Sequence, residues 1–270
     1  MATTTALRLT GRDTLPLLHR VTSNALEDLA PGEARATLWC DFRGRLQYRA
    51  IVAVAADGAV WLLRADAPGA ELASALEKSI FRDDVRVEDL SHVHPLALAR
   101  GTTGESGVLA EGDGAPTSVS TGDGTRIVHV SLAEPLTEPM RIALLHPRHG
   151  HEIADAYNPF EVGLAHEVHL AKGCFTGQES LQRLVTYESV RRRPAHVRFA
   201  GDPPATPCDV LAKGESPGER AGVLTSVAGS DGFAILRRDE LESGANFCLP
   251  DGRPLEVLAA PELARPLGRP

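Results

Sequence analysis

The chain has 270 residues, 43 % of them apolar and 24 % charged, which suits one large globular domain or two ordinary ones with a real core. Its formal net charge of −8 excludes a broad nucleic-acid face, which needs a basic surface, but leaves room for a local basic patch that holds a small anion. The four cysteines, Cys40, Cys174, Cys208 and Cys248, contain no CxxC pair and fit neither a zinc ribbon nor a dense disulfide framework.

Ala6–Leu9 alternates and predicts a short strand, broken by Gly11-Arg12-Asp13. Asp13 is placed to cap a helix carried by Leu15, Leu18 and Val21. Asn24–Gly32 reads as a second short helix or turn. Arg35–Cys40 and Leu46–Ala55 predict two strands joined by a hairpin turn at Asp41-Phe42-Arg43-Gly44. Asp57-Gly58 is a turn signal before a strand at Ala59–Arg64. A helix from Pro68 to Ile80 follows, with Leu72, Leu76 and Ile80 on one face. Val85–His146 alternates short β-like runs with Gly/Asp-rich turns, and Glu111–Gly124 reads as a hairpin tip.

After Pro194 short apolar runs (Ala195–Phe199, Gly222–Val227, Phe233–Leu236, Leu255–Leu258) recur between turn residues, as in a small β-barrel. Gly201-Asp202-Pro203-Pro204 is the expected lead-in to it, and Pro261–Pro270 the expected frayed tail. The division expected is a body at 1–194, a barrel at 195–262 and a tail at 263–270. The first residues carry neither a basic n-region nor a long apolar stretch, and no segment approaches a membrane span, so the expectation is a cytoplasmic protein with no membrane partner.

Chemistry concentrates in Lys172-Gly173-Cys174-Phe175-Thr176-Gly177-Gln178-Glu179. Glycines flank a thiol that has an ammonium two residues before it, and in an extended stretch Lys172 and Cys174 share a side. A neighbouring ammonium favours the thiolate, the reactive and metal-binding form. A structural cysteine packed in a turn is the bland alternative.

The octapeptide resembles the signature K-G-C-[YF]-x-G-Q-E of the YgfZ/IBA57 family, with Phe175 in the aromatic slot. Leu15–Leu29 with Pro31-Gly32 resembles that family's N-terminal segment, with Asn24 at its asparagine, and Phe42–Leu46 resembles its "GR" hairpin. Arg191-Arg192-Arg193 matches a basic stretch, and Gly222–Ser226 and Gly232–Arg238 resemble the strands of its C-terminal barrel. The resemblance implies an α+β fold: a GcvT/YgfZ-like folate-binding body of ferredoxin-like α/β subdomains with a small C-terminal β-barrel. It also implies tetrahydrofolate, or a one-carbon derivative, as cofactor. The function implied is support of iron–sulfur cluster assembly or repair, including that of tRNA-modifying enzymes. Cys174 would be the functional thiol with Lys172 beside it, and iron–sulfur assembly or client proteins the partners. Folate contacts would fall to Asn24, Glu161, Lys172, Gln178, Glu179 and Arg191. Glu161, in the stretch Tyr157–Leu164, would accept paired hydrogen bonds from a pterin, and Arg191 would meet an anionic polyglutamate tail.

The pattern departs from aminomethyltransferases at one place. Their paired carboxylate falls on Tyr48 and Arg49 here, and neither can stabilise a developing iminium cation. That disfavours a folate-dependent aminomethyltransferase and points away from a conventional enzyme. A thiol enzyme built on Cys174 would need a histidine base nearby, and a pure binding module would leave Cys174 inert. One thiol cannot hold a cluster alone, so Cys174 could serve only as a transient ligand and no resident metal is expected. His146, His149 and His151 with Glu152 read as an exposed polar loop rather than a metal site, and His166-Glu167-Val168-His169 falls one residue short of HExxH. Cys40, Cys208 and Cys248 read as packing residues. There is no GxGxxG and no Walker A sequence.

Overall fold

The computed structural model describes residues 4–213 and 218–268. Five strands, β1 (Thr5–Thr10), β2 (Ala34–Cys40), β3 (Leu46–Val54), β4 (Val60–Arg64) and β5 (Arg86–Asp89), form an antiparallel sheet in the order β2-β3-β4-β1-β5. Side chains alternate across it. Leu7, Leu9, Val52 and Leu62 face the apolar stripes of α1 (Thr14–Val21) and α2 (Gly69–Glu77). Ile51, Ala53, Trp61 and Leu63 face the other way, onto Leu96, Val119 and Ile127 of a long hairpin made by β6 (Leu96–Gly112) and β7 (Ala115–His129). Full burial of each such leucine or isoleucine is worth about 1.5–3 kcal/mol, so both faces hold the sheet.

Asp13 does not cap α1 with its side chain; its carboxylate accepts the Asp84 amide at 2.8 Å and ties the helix start to the lead-in of β5. α2 ends at Glu77, short of Ile80. The expected series of short runs over Val85–His146 is instead the single β6–β7 hairpin. Its tip does fall in the expected stretch, at Asp113-Gly114, but Gly122-Asp123-Gly124 lies inside β7. Positive-φ glycines there produce register shifts opposite Thr103 and Ser106 rather than a turn.

A third core joins the sheet to the rest. Leu38 and Leu46 meet Tyr157, Phe160, Phe175 and Leu181, with Phe233 and Ile235 arriving from the C-terminal barrel. Two further helices, α3 (Glu138–Ala143) and α4 (Gln178–Thr186), border it. The start of α4 presses on the β2–β3 turn. Gly177 has φ 86°, and a Cβ there would lie 2.4 Å from the Asp41 carbonyl oxygen, so only glycine fits.

β8 (Arg192–Phe199), β9 (Cys208–Lys213), β10 (Glu219–Ala228), β11 (Asp231–Arg237), β12 (Asn246–Cys248) and β13 (Pro254–Ala259), with the short α5 (Arg238–Glu242), close into a six-stranded barrel. The barrel begins at Arg192, so Gly201–Pro204 leaves its first strand instead of leading into it. The tail is not frayed over its described part. Leu267 donates its amide to Val168 O at 2.8 Å and accepts the Leu170 amide at 2.9 Å. The chain end therefore props the segment that leads to the cysteine motif, which a propensity reading of a Pro-rich tail does not reveal. Residues 269–270 of that tail lie outside the described residues. No helix among the described residues is long and apolar enough to cross a membrane.

Candidate functional site

Phe175 anchors the motif loop in the third core, and Gly173, at φ 114°, turns the chain just before Cys174. The stretch is therefore bent, and the two reactive side chains differ in exposure. Lys172 is half-buried: its Nζ donates to the His19 carbonyl and lies 5.0 Å from the centre of the Phe175 ring. Cys174 is exposed. Burial pulls the Lys172 amine down to about 8, against the smaller opposing pull of Glu27 and the Cys174 thiol. Lys172 is one of three lysines in the chain, and its acylation rate, followed by peptide mapping against pH, is expected to reach half-maximum near pH 8. A midpoint at the free-lysine value, about 10.4, would contradict this placement.

The histidine tied to this loop is no base for the thiol. His19 Nε2 is 2.9 Å from Lys172 O, and Nδ1 accepts the Leu26 amide at 3.1 Å, so both ring nitrogens are committed to backbone. Gln178 donates to Leu170 O at 2.8 Å and braces the loop from within. Glu179 is exposed and pairs with Arg183 one turn on.

The other expected folate contacts sit in three different surroundings. Asn24 is buried, with its side chain spent between Ala36 O (2.8 Å) and the Ala25 amide (2.9 Å). It shapes the turn after α1, where burial and these two backbone bonds turn it inward. Glu161 is 5 % exposed and largely engaged within the protein. It accepts the Asn158 amide (3.0 Å) in a capping box and is clamped by Arg192 (2.8 Å) and Arg45 (3.3 Å). Arg191 is exposed and lines a polar cleft of about 750 Å3 next to that clamp, between the body and the barrel.

A second, more apolar space lies elsewhere. A cavity of about 430 Å3 opens between the sheet and the β6–β7 hairpin. Ile51, Leu63, Leu98 and Ile127 supply apolar walls, and Asp66 and Glu138 are the two carboxylates among its lining residues. Four arginines line it as well, Arg49, Arg64, Arg141 and Arg148, a cationic excess in an acidic chain. Asn24, Glu161, Lys172, Cys174, Gln178, Glu179 and Arg191 do not line it.

Arg49, expected at the acidic-pair position, is on the cavity wall. Its guanidinium holds Glu167 at 2.6 Å, donates to His146 Nε2 at 2.9 Å and lies 3.5 Å from Asp123. Burial opposes its charge, but Glu167 and Asp123 more than offset this and the net shift is upward. Burial, then the Arg49 charge, drives His146 down to about 3, so it is a neutral acceptor. The remaining histidines of the cluster are also dispersed. His149 stacks on Tyr48 at 5.9 Å, and His151 Nδ1 meets Thr225 O at 3.0 Å. Glu152, completely buried, accepts from Thr225, Ser226 (2.7 Å), Arg141 (3.3 Å) and the Arg148 amide (3.0 Å), which ties body to barrel. Among the described residues no cluster could hold a metal ion. Cys40 and Cys248 are buried as expected, and burial pushes the Cys40 thiol up to about 12; Cys208 is only partly buried.

Residues 191–262 match the family described as CAF17, C-terminal beta-barrel domain. A chloroplastic protein of Arabidopsis thaliana, named "Putative transferase", is 32 % identical over 92 residues, 34 % of this chain and 20 % of that protein's length. In structure the chain is similar to aminomethyltransferase T of the glycine cleavage system from Bartonella henselae. The TM-score is 0.72, over 96 % of this chain and 83 % of the other, at 15 % identity, a likeness of fold. The C-terminal barrel is thus similar to that of the CAF17 family, and the chain as a whole has an aminomethyltransferase-like α+β fold.

Proposed function

We propose that the protein binds a reduced folate, tetrahydrofolate or a one-carbon derivative, in the cavity between sheet and hairpin. With Cys174 exposed on a separate loop, it supports assembly or repair of iron–sulfur proteins, tRNA-modifying enzymes among them, in the cytoplasm. The observation that carries the reading is the cavity itself: about 430 Å3, apolar on its broad walls and polar in a few places, the usual build of a small-ligand site. The chain's residues fit the group. Ile51, Leu63, Leu98 and Ile127 suit flat rings, and Asp66, one of whose oxygens is not spent on the His149 amide, can accept an N–H or amino proton of a pterin, while Glu138 is held by Arg141 and Arg148. A folate so bound would supply one-carbon chemistry at its ring nitrogens. The folate contacts first expected at Asn24 and Glu161 move, in this reading, to the cavity residues.

Aminomethyl transfer is the weaker reading. A fixed guanidinium, Arg49, stands where a carboxylate would have to stabilise an iminium cation. Calorimetry with 5-formyltetrahydrofolate tests the proposal. Saturable binding is expected in the wild type and in Cys174→Ala, with at least a tenfold loss in Leu98→Trp, which fills the cavity from its wall. No binding to the wild type would end the folate reading. Reactivation of an oxidised [4Fe–4S] client is expected to need the thiol, and undiminished reactivation by Cys174→Ala would remove Cys174 from the role.

A further inference from the structure

Arg64 ends the apolar run Val60-Trp61-Leu62-Leu63, and its residue is only 3 % exposed. None of its three guanidinium nitrogens has a hydrogen-bond partner, and among the described residues no other buried arginine shares that condition. Its neighbours explain why. Asp66 Oδ1 is 3.7 Å from Arg64 Nε, too far for a hydrogen bond, because the other oxygen of that carboxylate accepts the His149 amide at 2.7 Å. The Tyr48 ring, 5.8 Å from the guanidinium centre, offers its face but no acceptor in line. The other cavity arginines are engaged: Arg49 with Glu167, Arg141 with Glu138 and Glu152, Arg148 with Glu138. A buried guanidinium cannot shed its proton, so five unmet donors carry a standing cost until an acceptor arrives.

We propose that Arg64 is the oxyanion-binding residue of this cavity, and that the ligand presents a carboxylate to it. The inference rests on reading the cavity as a ligand site and deepens that reading by naming which part of the ligand the site selects. A planar fork matches a carboxylate with two parallel N–H···O bonds, whereas the lone carbonyl of a neutral ring satisfies one. The cavity thus discriminates acidic ligands from neutral ones of the same shape. A reduced folate contains both kinds of group, a neutral pterin and an acidic aminobenzoylglutamate, and they can be presented separately.

The test is calorimetry on the full chain, wild type and Arg64→Gln, with 5-formyltetrahydrofolate, p-aminobenzoylglutamate and tetrahydrobiopterin. Arg64→Lys serves as the variant that keeps the charge and loses the fork. Expected are binding of both carboxylate-bearing probes to the wild type, a loss of tenfold or more in Arg64→Gln, partial recovery in Arg64→Lys, and no change for tetrahydrobiopterin. Equal losses for tetrahydrobiopterin and 5-formyltetrahydrofolate would assign Arg64 to the pterin and overturn the inference while leaving the folate reading standing. Arg64-dependent binding of p-aminobenzoylglutamate without binding of 5-formyltetrahydrofolate would do the reverse. Failure of all three probes to bind overturns both.

Discussion

Replacing Glu167 with leucine is expected to lower the unfolding free energy by about 3 kcal/mol in urea denaturation of the otherwise unchanged protein. Glu167 is 1 % exposed, and its carboxylate takes three short contacts from Arg49 at 2.6 to 3.0 Å. Removing it strands the Arg49 guanidinium, whose side chain is only 12 % exposed. The loss stays at the low end of the range for a broken buried pair because Asp123 and His146 remain beside the cation. The double variant Arg49→Met, Glu167→Leu removes both charges and is expected to recover most of the loss, since two apolar side chains of similar size need no desolvation. A cost below about 1 kcal/mol for Glu167→Leu, the range of an exposed pair, would mean that the cation reaches water and that the cavity wall is not as built. The same pair fixes chemistry as well as stability. It pins Arg49 in the place that an acidic group would need for aminomethyl transfer, and it keeps His146 an unprotonated acceptor rather than a base in solution.

The sequence reveals this architecture unevenly, and the reasons are physical. Strands β1 to β4 and the β2–β3 turn can be read from alternation and from Asp41–Gly44, because each is specified by residues close in the chain. The barrel can be read from turn spacing, and its start is misplaced by a few residues because Arg192 and Arg193 carry strand pairing to Arg237 and Leu236 despite their charge. The long β6–β7 hairpin is obscured by glycines, which signal turns but here make irregularities within strands. At the site, the motif around Cys174 stands out because reactive residue types crowd eight positions, yet the direction of Lys172 depends on a carbonyl 153 residues away. Glu161 and Asn24 look available in sequence; the spacing Asn158-x-x-Glu161 does announce a capping box, but the Arg45 and Arg192 clamp and the Ala36 carbonyl come from positions no local pattern names. Arg64 left one trace, a lone arginine closing a fully apolar strand, and its meaning emerges only when its surroundings show no acceptor.

Arg64→Met is expected to make the ligand-free protein more stable, by about 1–3 kcal/mol, while abolishing the response to an acidic ligand. The sign follows from what each partner loses. Methionine fills much of the same volume without donors, so the cost of burying a guanidinium that makes no hydrogen bond, only a 3.7 Å ion pair with Asp66, disappears. Asp66 keeps the His149 amide and has 30 % of its side chain exposed, and Glu71, the other acidic group near Arg64, is 61 % exposed; both find water. The wild type recovers the deficit only on binding. At a ligand concentration 100 times Kd a one-site ligand adds about 2.7 kcal/mol to the bound protein, and the variant gains nothing. Unfolding curves with and without p-aminobenzoylglutamate should therefore cross: the variant ahead without ligand, the wild type level or ahead with it. If Arg64→Met is destabilised without ligand, the guanidinium is a satisfied structural group whose partners the geometry undercounts. A stability gain with an unchanged ligand response would instead make Arg64 a costly buried charge with no part in recognition. Only the crossing ties the cost of burying this arginine to the ligand it holds.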